Sequence, residues 1–172
     1  MIKLLKTISH SAAIILIFIL QYSFIEVLDE GFNQVNLPLI VLLSLSGRNK
    51  FVLAFYYALG FGLLGDIISP LPFGIMLLTY FLIFVIIYFI LEKFLARRSL
   101  ATFMATSLIS LILFLLIKFY SYAAFNLVET SLVDNWRLFL IYLATNLTSL
   151  ALIYLFIQYL KLKQRDSSRK KI

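Results

Sequence analysis

The glycine spacing between Gly60 and Gly65 is the first feature of this sequence that could bind a ligand. Gly60, Gly62 and Gly65 match G-x-G-x-x-G, which in dinucleotide-binding proteins follows a strand and opens a helix, so that backbone amides reach a pyrophosphate. Here the glycines lie inside a long apolar run, where that strand-to-helix turn is not expected. The spacing therefore indicates close helix packing instead of a nucleotide site.

Small residues recur at every fourth position of the same run. Ala54, Ala58 and Gly62 fall at i, i+4 and i+8, and Asp66 continues the series, so all four lie on one face of a helix. Small side chains allow the backbone of a second helix to approach closely in a membrane. We expect this face, together with Gly65, to bind a partner helix or to serve as a structural motif.

Asp66 ends this series near one boundary of the apolar run, where an unpaired carboxylate is costly. Lys118 lies at a comparable depth on a later apolar run. Two interpretations stay open: an intramembrane ion pair between Asp66 and Lys118, or separate contacts of Asp66 with interfacial water and of Lys118 with lipid head groups.

Polar residues also recur along the last two apolar runs. They are Thr102, Thr106 and Ser110 in one run, and Thr145, Asn146, Thr148 and Ser149 in the other. Hydrogen bonds between helices explain them, and a substrate cavity is the alternative, because Asn146 near the middle of a span needs a buried partner.

Nothing in the sequence predicts catalysis, a metal site or a cofactor. The chain has no cysteine and one histidine, and it contains neither G-x-S-x-G nor H-E-x-x-H. Its net charge of +7 does not predict nucleic-acid binding, because anionic lipid accounts for the basic residues after position 160. We expect a protein that is not an enzyme and that has membrane lipids among its contacts.

Composition places the elements that carry these residues in a membrane. Of the 172 residues, 63% are hydrophobic and 13% are charged, and the mean hydropathy is +1.03. Six apolar segments are predicted: 8–25, a short 37–45, 51–68, 73–91, 99–124 and 138–160. The sequence therefore predicts an all-α integral membrane bundle of six helices with a short second helix, forming one domain over 1–160, and a basic tail over 161–172.

The charge distribution predicts how these segments cross the membrane. Thirteen of the 15 basic residues fall on one side of the predicted topology, and they include Arg48, Lys50, Arg97 and Arg98. Six of the eight acidic residues fall on the other side. By the positive-inside rule, the chain crosses six times with both termini in the cytoplasm, and the short second segment has to count as a crossing. That segment would need to extend to about Asn33 through Arg48.

The end of the third segment and the break after it resemble the MreD family of rod shape-determining proteins. The residues that carry the resemblance are Gly62-Leu63-Leu64-Gly65-Asp66-Ile67-Ile68-Ser69-Pro70-Leu71-Pro72-Phe73-Gly74. The family has a glycine-bearing helix, an aspartate, a small residue and then Pro-x-Gly before the next helix. The basic turn at Gly47–Lys50, after a short segment led by Pro38, is also similar.

The resemblance implies a non-enzymatic scaffold subunit of the cell-wall elongation complex in the bacterial cytoplasmic membrane. Such a subunit would bind MreC and sit with MreB and with the transpeptidase and glycosyltransferase of peptidoglycan synthesis. Its partner-binding or structural motif would comprise Ala54, Ala58, Gly62, Gly65, Asp66, Pro72 and Gly74. In the family, the fold is similar to the substrate-binding S component of energy-coupling-factor transporters. An S component for a vitamin or another small molecule is therefore the alternative function.

The two functions differ in what they require of the structure. A scaffold needs a lipid-exposed face of small residues on which a partner helix docks, whereas a binding subunit needs an inward cavity with converging polar groups. The small-residue series on the third helix favours the scaffold. The sequence leaves open whether the chain forms homo-oligomers.

Overall fold

The computed structural model describes residues 2–25, 34–94, 100–125 and 136–169, and this part of the chain is helical without strands. The six α-helices are α1 (Ile2–Leu20), α2 (Leu37–Gly47), α3 (Phe51–Ile68), α4 (Ile75–Phe89), α5 (Leu100–Ala124) and α6 (Trp136–Arg169). Short π-helical turns extend α1 over Gln21–Ile25 and α4 over Ile90–Phe94. All of these helices except α2 are long and apolar enough to span a membrane, so the predicted all-α membrane bundle is confirmed.

Successive helices run in opposite directions along the bundle, as the residues at its two ends show. At one end, a cavity is lined by the α2–α3 turn at Arg48, the start of α5 at Phe103 and the end of α6 at Gln158. At the other end, a second cavity is lined by the end of α3 at Gly65 and the end of α5 at Lys118. We name these the Arg48 end and the Asp66 end of the bundle.

The short helix α2 lies in the centre of the bundle. It contacts each of the five longer helices, and its Leu39, Ile40, Leu42 and Leu43 side chains are buried. Eleven residues extend about 16 Å at a rise of about 1.5 Å each, roughly half of a bilayer core about 30 Å thick. Helix α2 therefore covers only the half of the membrane that leads to the Arg48 end.

The predicted extension of α2 to about Asn33 is wrong at its start. The helix begins at Leu37, because the Asn36 side chain accepts a hydrogen bond from the Leu39 N–H at 3.1 Å and caps it. Pro38 occupies the first turn, where a missing N–H costs nothing. Residues 34–36 are non-helical and lie inside the bundle, beside the cavity at the Asp66 end.

The other predicted boundaries agree with the structure to within a few residues, with two informative differences. Helix α4 starts at Ile75 and not at Phe73, because Gly74 before it has a left-handed backbone with φ of 102°. Helix α6 continues to Arg169, so most of the predicted polar tail from Lys161 is helical.

Several residues used in the topology prediction lie outside the described part of the chain. These are Glu26, Asp29, Glu30, Arg97, Arg98, Glu129, Asp134, Lys170 and Lys171.

Candidate functional site

The small residues of α3 bring its backbone against that of α4. A Cβ atom added to Gly62 would lie 2.6 Å from the Leu77 Cα, and one added to Gly65 would lie 3.3 Å from the Met76 Cβ. No side chain fits at Gly62, because the obstacle is backbone and cannot rotate away. These glycines therefore hold together the α3–α4 hairpin, residues 51–89.

The small-residue face of α3 is covered by the chain's own helices. Ala54, Ala58, Gly62, Gly65 and Asp66 are all buried. The expectation that this face is exposed to lipid for a partner helix is therefore wrong, because intramolecular packing already occupies it. The alternative function for these residues, a structural motif, agrees with their positions.

Asp66 caps the start of α4 across the hairpin. Its Oδ1 accepts a hydrogen bond from the Met76 N–H at 2.8 Å, and its Oδ2 accepts one from the Leu77 N–H at 3.1 Å. Amides in the first turn of a helix have no partner within the helix, and the positive end of the helix dipole favours a carboxylate. Both effects offset the cost of burying Asp66 in the bundle.

The break between α3 and α4 supplies the remaining residues of the motif. The Ser69 hydroxyl accepts a hydrogen bond from the Leu71 N–H, and the Pro72 carbonyl accepts one from the Ile75 N–H. Gly74 then adopts the left-handed conformation that a larger residue would resist. Pro72 and Gly74 therefore set the turn, while Asp66 fixes the helix that follows it.

Lys118 lies at the same end of the bundle as Asp66, and its ammonium group lies close to an aromatic ring. Lys118 and Gly65 line the same cavity, which confirms that the ends of α3 and α5 lie at the same depth. The Lys118 ammonium group lies 5.5 Å from the centre of the Tyr122 ring, within reach of a cation–π contact. Backbone amides supply one hydrogen bond to each carboxylate oxygen of Asp66, and the Asp66–Lys118 ion pair stays a prediction.

A polar cavity of about 120 Å³ opens beside the hairpin at the Asp66 end. All six helices or their flanking turns contribute to its wall. The polar residues that line it are Gln21, Tyr22, Gln34, Asn36, Tyr80, Lys118 and Tyr142. Polar groups thus converge in the bundle from parts of the chain that are far apart in sequence.

Two side chains hold the non-helical segment before α2 in place next to this cavity. The Asn146 amide accepts a hydrogen bond from the Asn36 N–H and donates one to the Gln34 carbonyl, both at 2.8 Å. The Gln21 side chain accepts a hydrogen bond from the Leu37 N–H at 2.9 Å. Irregular backbone at membrane depth is stable only where such groups satisfy it. Asn146 and Gln21 therefore form an amide clamp on residues 34–37.

Asn146 was predicted to need a buried partner, and the segment before α2 is that partner. Several other polar residues of α5 and α6 bond within their own helices. Thr106, Ser107 and Ser110 on α5, and Thr145 and Ser149 on α6, donate to carbonyls of their own helices. The prediction of hydrogen bonds between helices is wrong for Thr106, Ser110, Thr145 and Ser149, because a hydroxyl in a helix reaches the carbonyl four residues earlier.

The sequence interpretation missed Gln21, Gln34, Asn36 and Tyr142. Gln21 carries a signal that could have revealed it, since it is an amide within the apolar first span and needs a buried partner. Gln34 and Asn36 look like ordinary loop residues. Within the described ranges, no group of three or more His, Cys, Asp or Glu residues is arranged to hold a metal ion.

The fold and this site define a multi-pass membrane protein with a capped helical hairpin and an adjacent polar cavity. Comparisons with models of protein families, with curated proteins and with solved structures find no match to the chain.

Proposed function

We propose that this chain is a non-enzymatic membrane scaffold subunit of the cell-wall elongation complex, of the MreD type. It would reside in the bacterial cytoplasmic membrane with both termini inside and would bind MreC. MreB, the transpeptidase and the glycosyltransferase would associate through the same complex. The proposal includes a fold similar to that of the S components of energy-coupling-factor transporters.

The observation that carries the proposal is the construction of the α3–α4 hairpin. Three positions of the segment that resembles MreD have a physical role in it: Gly62 in close packing, Asp66 in capping, and Gly74 in the turn. Residues in these three roles fix one rigid shape and supply no reactive group. A rigid shape is what a scaffold subunit requires.

The partner surface in this proposal is the hairpin tip, residues 67–73, and not the buried glycine face. Ile67 and Phe73 are 72% and 73% exposed, and Ile68 and Pro70 are exposed beside them. The tip lies at the Asp66 end, which the positive-inside rule places outside the cytoplasm. There it would meet the membrane-proximal part of MreC.

A substrate-binding S component is the second candidate, and the polar cavity at the Asp66 end favours it. Its volume of about 120 Å³ is small beside the roughly 300–1,000 Å³ of most small-molecule sites. A vitamin-sized ligand does not fit in this cavity in this conformation, and the larger cavity of about 400 Å³ lies at the opposite, Arg48 end. The scaffold is therefore the better supported of the two functions.

Affinity purification of the tagged protein from its native membrane, followed by mass spectrometry, tests the proposal. The informative variant is Ile67→Ala combined with Phe73→Ala, which alters the tip without touching the buried packing. A matched control is Val52→Ala combined with Phe156→Ala, since these side chains are equally apolar and are 74% and 61% exposed at the Arg48 end. Gly62→Leu is unsuitable, because it disrupts the hairpin itself.

Recovery of MreC and wall-synthesis enzymes with the wild type and the control, and their loss with the tip variant, supports the scaffold and its surface. Recovery of an ATPase module with a transmembrane coupling subunit would instead support the transporter function. Recovery of none of these proteins contradicts both candidates.

A further inference from the structure

We propose that the polar cavity at the Asp66 end binds a small oxyanion, a phosphate or a carboxylate, through Lys118 and Tyr142. This inference goes beyond the scaffold function and does not depend on any partner protein.

The charge of the cavity wall favours an anion. Lys118 is the one Lys, Arg, Asp or Glu among the described residues that line the cavity. The carboxylate of Asp66, next to the lining residue Gly65, already accepts two backbone hydrogen bonds and faces the start of α4. The Lys118 ammonium has an aromatic ring at 5.5 Å as its neighbour, which leaves its hydrogen-bond donors open to an oxyanion.

Tyr142 supplies an unsatisfied polar group in the same wall. Its side chain is only 5% exposed, and its buried hydroxyl, which lies beside the Asn36 side chain, makes no hydrogen bond of standard geometry within the described part of the chain. Burying such a group without a partner costs free energy, so one left in place calls for an explanation. A bound acceptor oxygen would satisfy it.

The backbone groups next to the cavity are already engaged. The backbone N–H groups of Asn36 and Leu37 donate to Asn146 and Gln21, and the Gln34 carbonyl accepts from Asn146. The Lys118 ammonium can only donate hydrogen bonds, and the Tyr142 hydroxyl can donate one. A ligand that only accepts hydrogen bonds, as an ionised phosphate or carboxylate does, can bind both groups.

The size of the cavity limits the ligand to a small group. A volume of about 120 Å³ exceeds the space that one water molecule needs, which is on the order of 10–15 Å³ by this kind of measure. The oxyanion could arrive on a phospholipid head group, with the acyl chains in the bilayer, or as a free anion from outside. Both sources present the same chemistry to Lys118 and Tyr142.

The test uses the purified full-length chain, so it is independent of partner recovery. In one arm, thermal unfolding in a neutral detergent is measured with inorganic phosphate against chloride at equal ionic strength. In the other arm, nanodiscs of phosphatidylcholine and phosphatidylglycerol are used, and native mass spectrometry records which lipid stays bound. The variants are Lys118→Met and Tyr142→Phe.

Tyr142→Phe is the sharper variant, because it removes only a hydroxyl that makes no hydrogen bond of standard geometry with the described residues. It therefore folds, and a purely structural tyrosine would lose nothing by it. Tyr159→Phe is its matched control on the same helix, since this side chain is 60% exposed. We expect the wild type and the control to be stabilised by phosphate or to retain phosphatidylglycerol, and both cavity variants to bind at least tenfold more weakly.

The two arms separate the sources of the oxyanion. Stabilisation by phosphate indicates a free anion, and retention of a phospholipid by the wild type but not by the two cavity variants indicates a lipid head group. Absence of both overturns the proposal, and so does binding that survives unchanged in Lys118→Met and Tyr142→Phe.

Discussion

The Asp66 carboxylate lies 2.8 Å from the Met76 nitrogen, ten residues further along the chain. This hydrogen bond joins the end of α3 to the first turn of α4 and turns a buried acid into a helix cap. The same carboxylate reaches the Leu77 N–H, so one side chain satisfies two amides that α4 itself cannot. The hairpin is thereby tied together directly next to its turn, residues 67–73.

Loss of the Asp66 cap should destabilise the hairpin. We expect Asp66→Ala to lower the free energy of unfolding by about 1–2 kcal/mol, the usual cost of a lost helix cap. Asp66→Asn should cost less, because its amide keeps one acceptor oxygen for the Met76 N–H. Reversible unfolding in mixed micelles, followed by circular dichroism, measures both changes.

A double-mutant cycle decides between the cap and the ion pair as the source of this stability. If backbone amides stabilise Asp66, the effects of Asp66→Asn and Lys118→Met should add within about 0.5 kcal/mol. A larger coupling free energy between the two positions, or recovery of stability when their charges are exchanged, would support the predicted ion pair.

Gly62 and Gly60 should respond differently to the same substitution. Gly62→Ala places a Cβ 2.6 Å from the Leu77 Cα, so we expect a loss of about 1–3 kcal/mol from forced overpacking. Gly60→Ala meets only side-chain atoms of Ile14, with Cδ1 at 2.9 Å and Cγ2 at 3.0 Å, and no backbone. Its clash is offset by a gain in helix propensity of about 1 kcal/mol.

Thermal unfolding of the two glycine variants, side by side in one detergent, checks this difference. Equal melting temperatures would show that α3 and α4 do not approach as closely as the structure describes.

Removing the clamp on residues 34–37 should destabilise the whole bundle. Asn146→Leu leaves the Asn36 N–H and the Gln34 carbonyl without partners inside the bundle. Each orphaned group costs about 1–3 kcal/mol. Thr148→Val is the control, because the Thr148 hydroxyl is exposed and bonds only within α6.

We expect the Asn146 variant to unfold at a clearly lower temperature than the Thr148 variant. Faster amide hydrogen exchange at the start of α2 would localise the effect. Unchanged exchange there would contradict the clamp.

The absence of cysteine from the chain makes its topology directly testable. We expect Pro70→Cys, in the exposed α3–α4 turn, to react with a membrane-impermeant maleimide in intact cells. Asn49→Cys, in the exposed α2–α3 turn, should react only after the membrane is permeabilised. The opposite labelling pattern would show that the orientation is reversed or that α2 does not count as a crossing, and labelling of both sites from outside would show that α3 does not separate the two faces.

Much of the helical architecture could be predicted from the sequence, because the signals are local. A span such as α3 follows from eighteen consecutive residues with few charges, and its end follows from two prolines within four residues. The early proline and the short length of α2 were likewise visible. The exact starts of α2 and α4 were not, because they depend on the cap at Asn36 and on the backbone angle at Gly74.

The candidate site could be predicted only in part from the sequence. The residue types of Gly62, Asp66 and Gly74 marked the hairpin as unusual, yet they could not show whether the small residues face lipid or another helix of the same chain. That distinction rests on burial, which depends on how all the helices pack. The face proved to be covered, and the polar cavity proved to lie beside it.

Hydropathy, charge and proline positions thus determined the membrane class of this protein, its helices and the break between α3 and α4, since each of these depends on neighbours along the chain. Only the tertiary structure decided which polar groups meet. Asn146 bonds to Asn36, which is 110 residues away, and Gln21 bonds to the start of α2. Such contacts form because buried backbone groups need hydrogen-bond partners. The sequence does not show which partner the packing of the helices brings within reach.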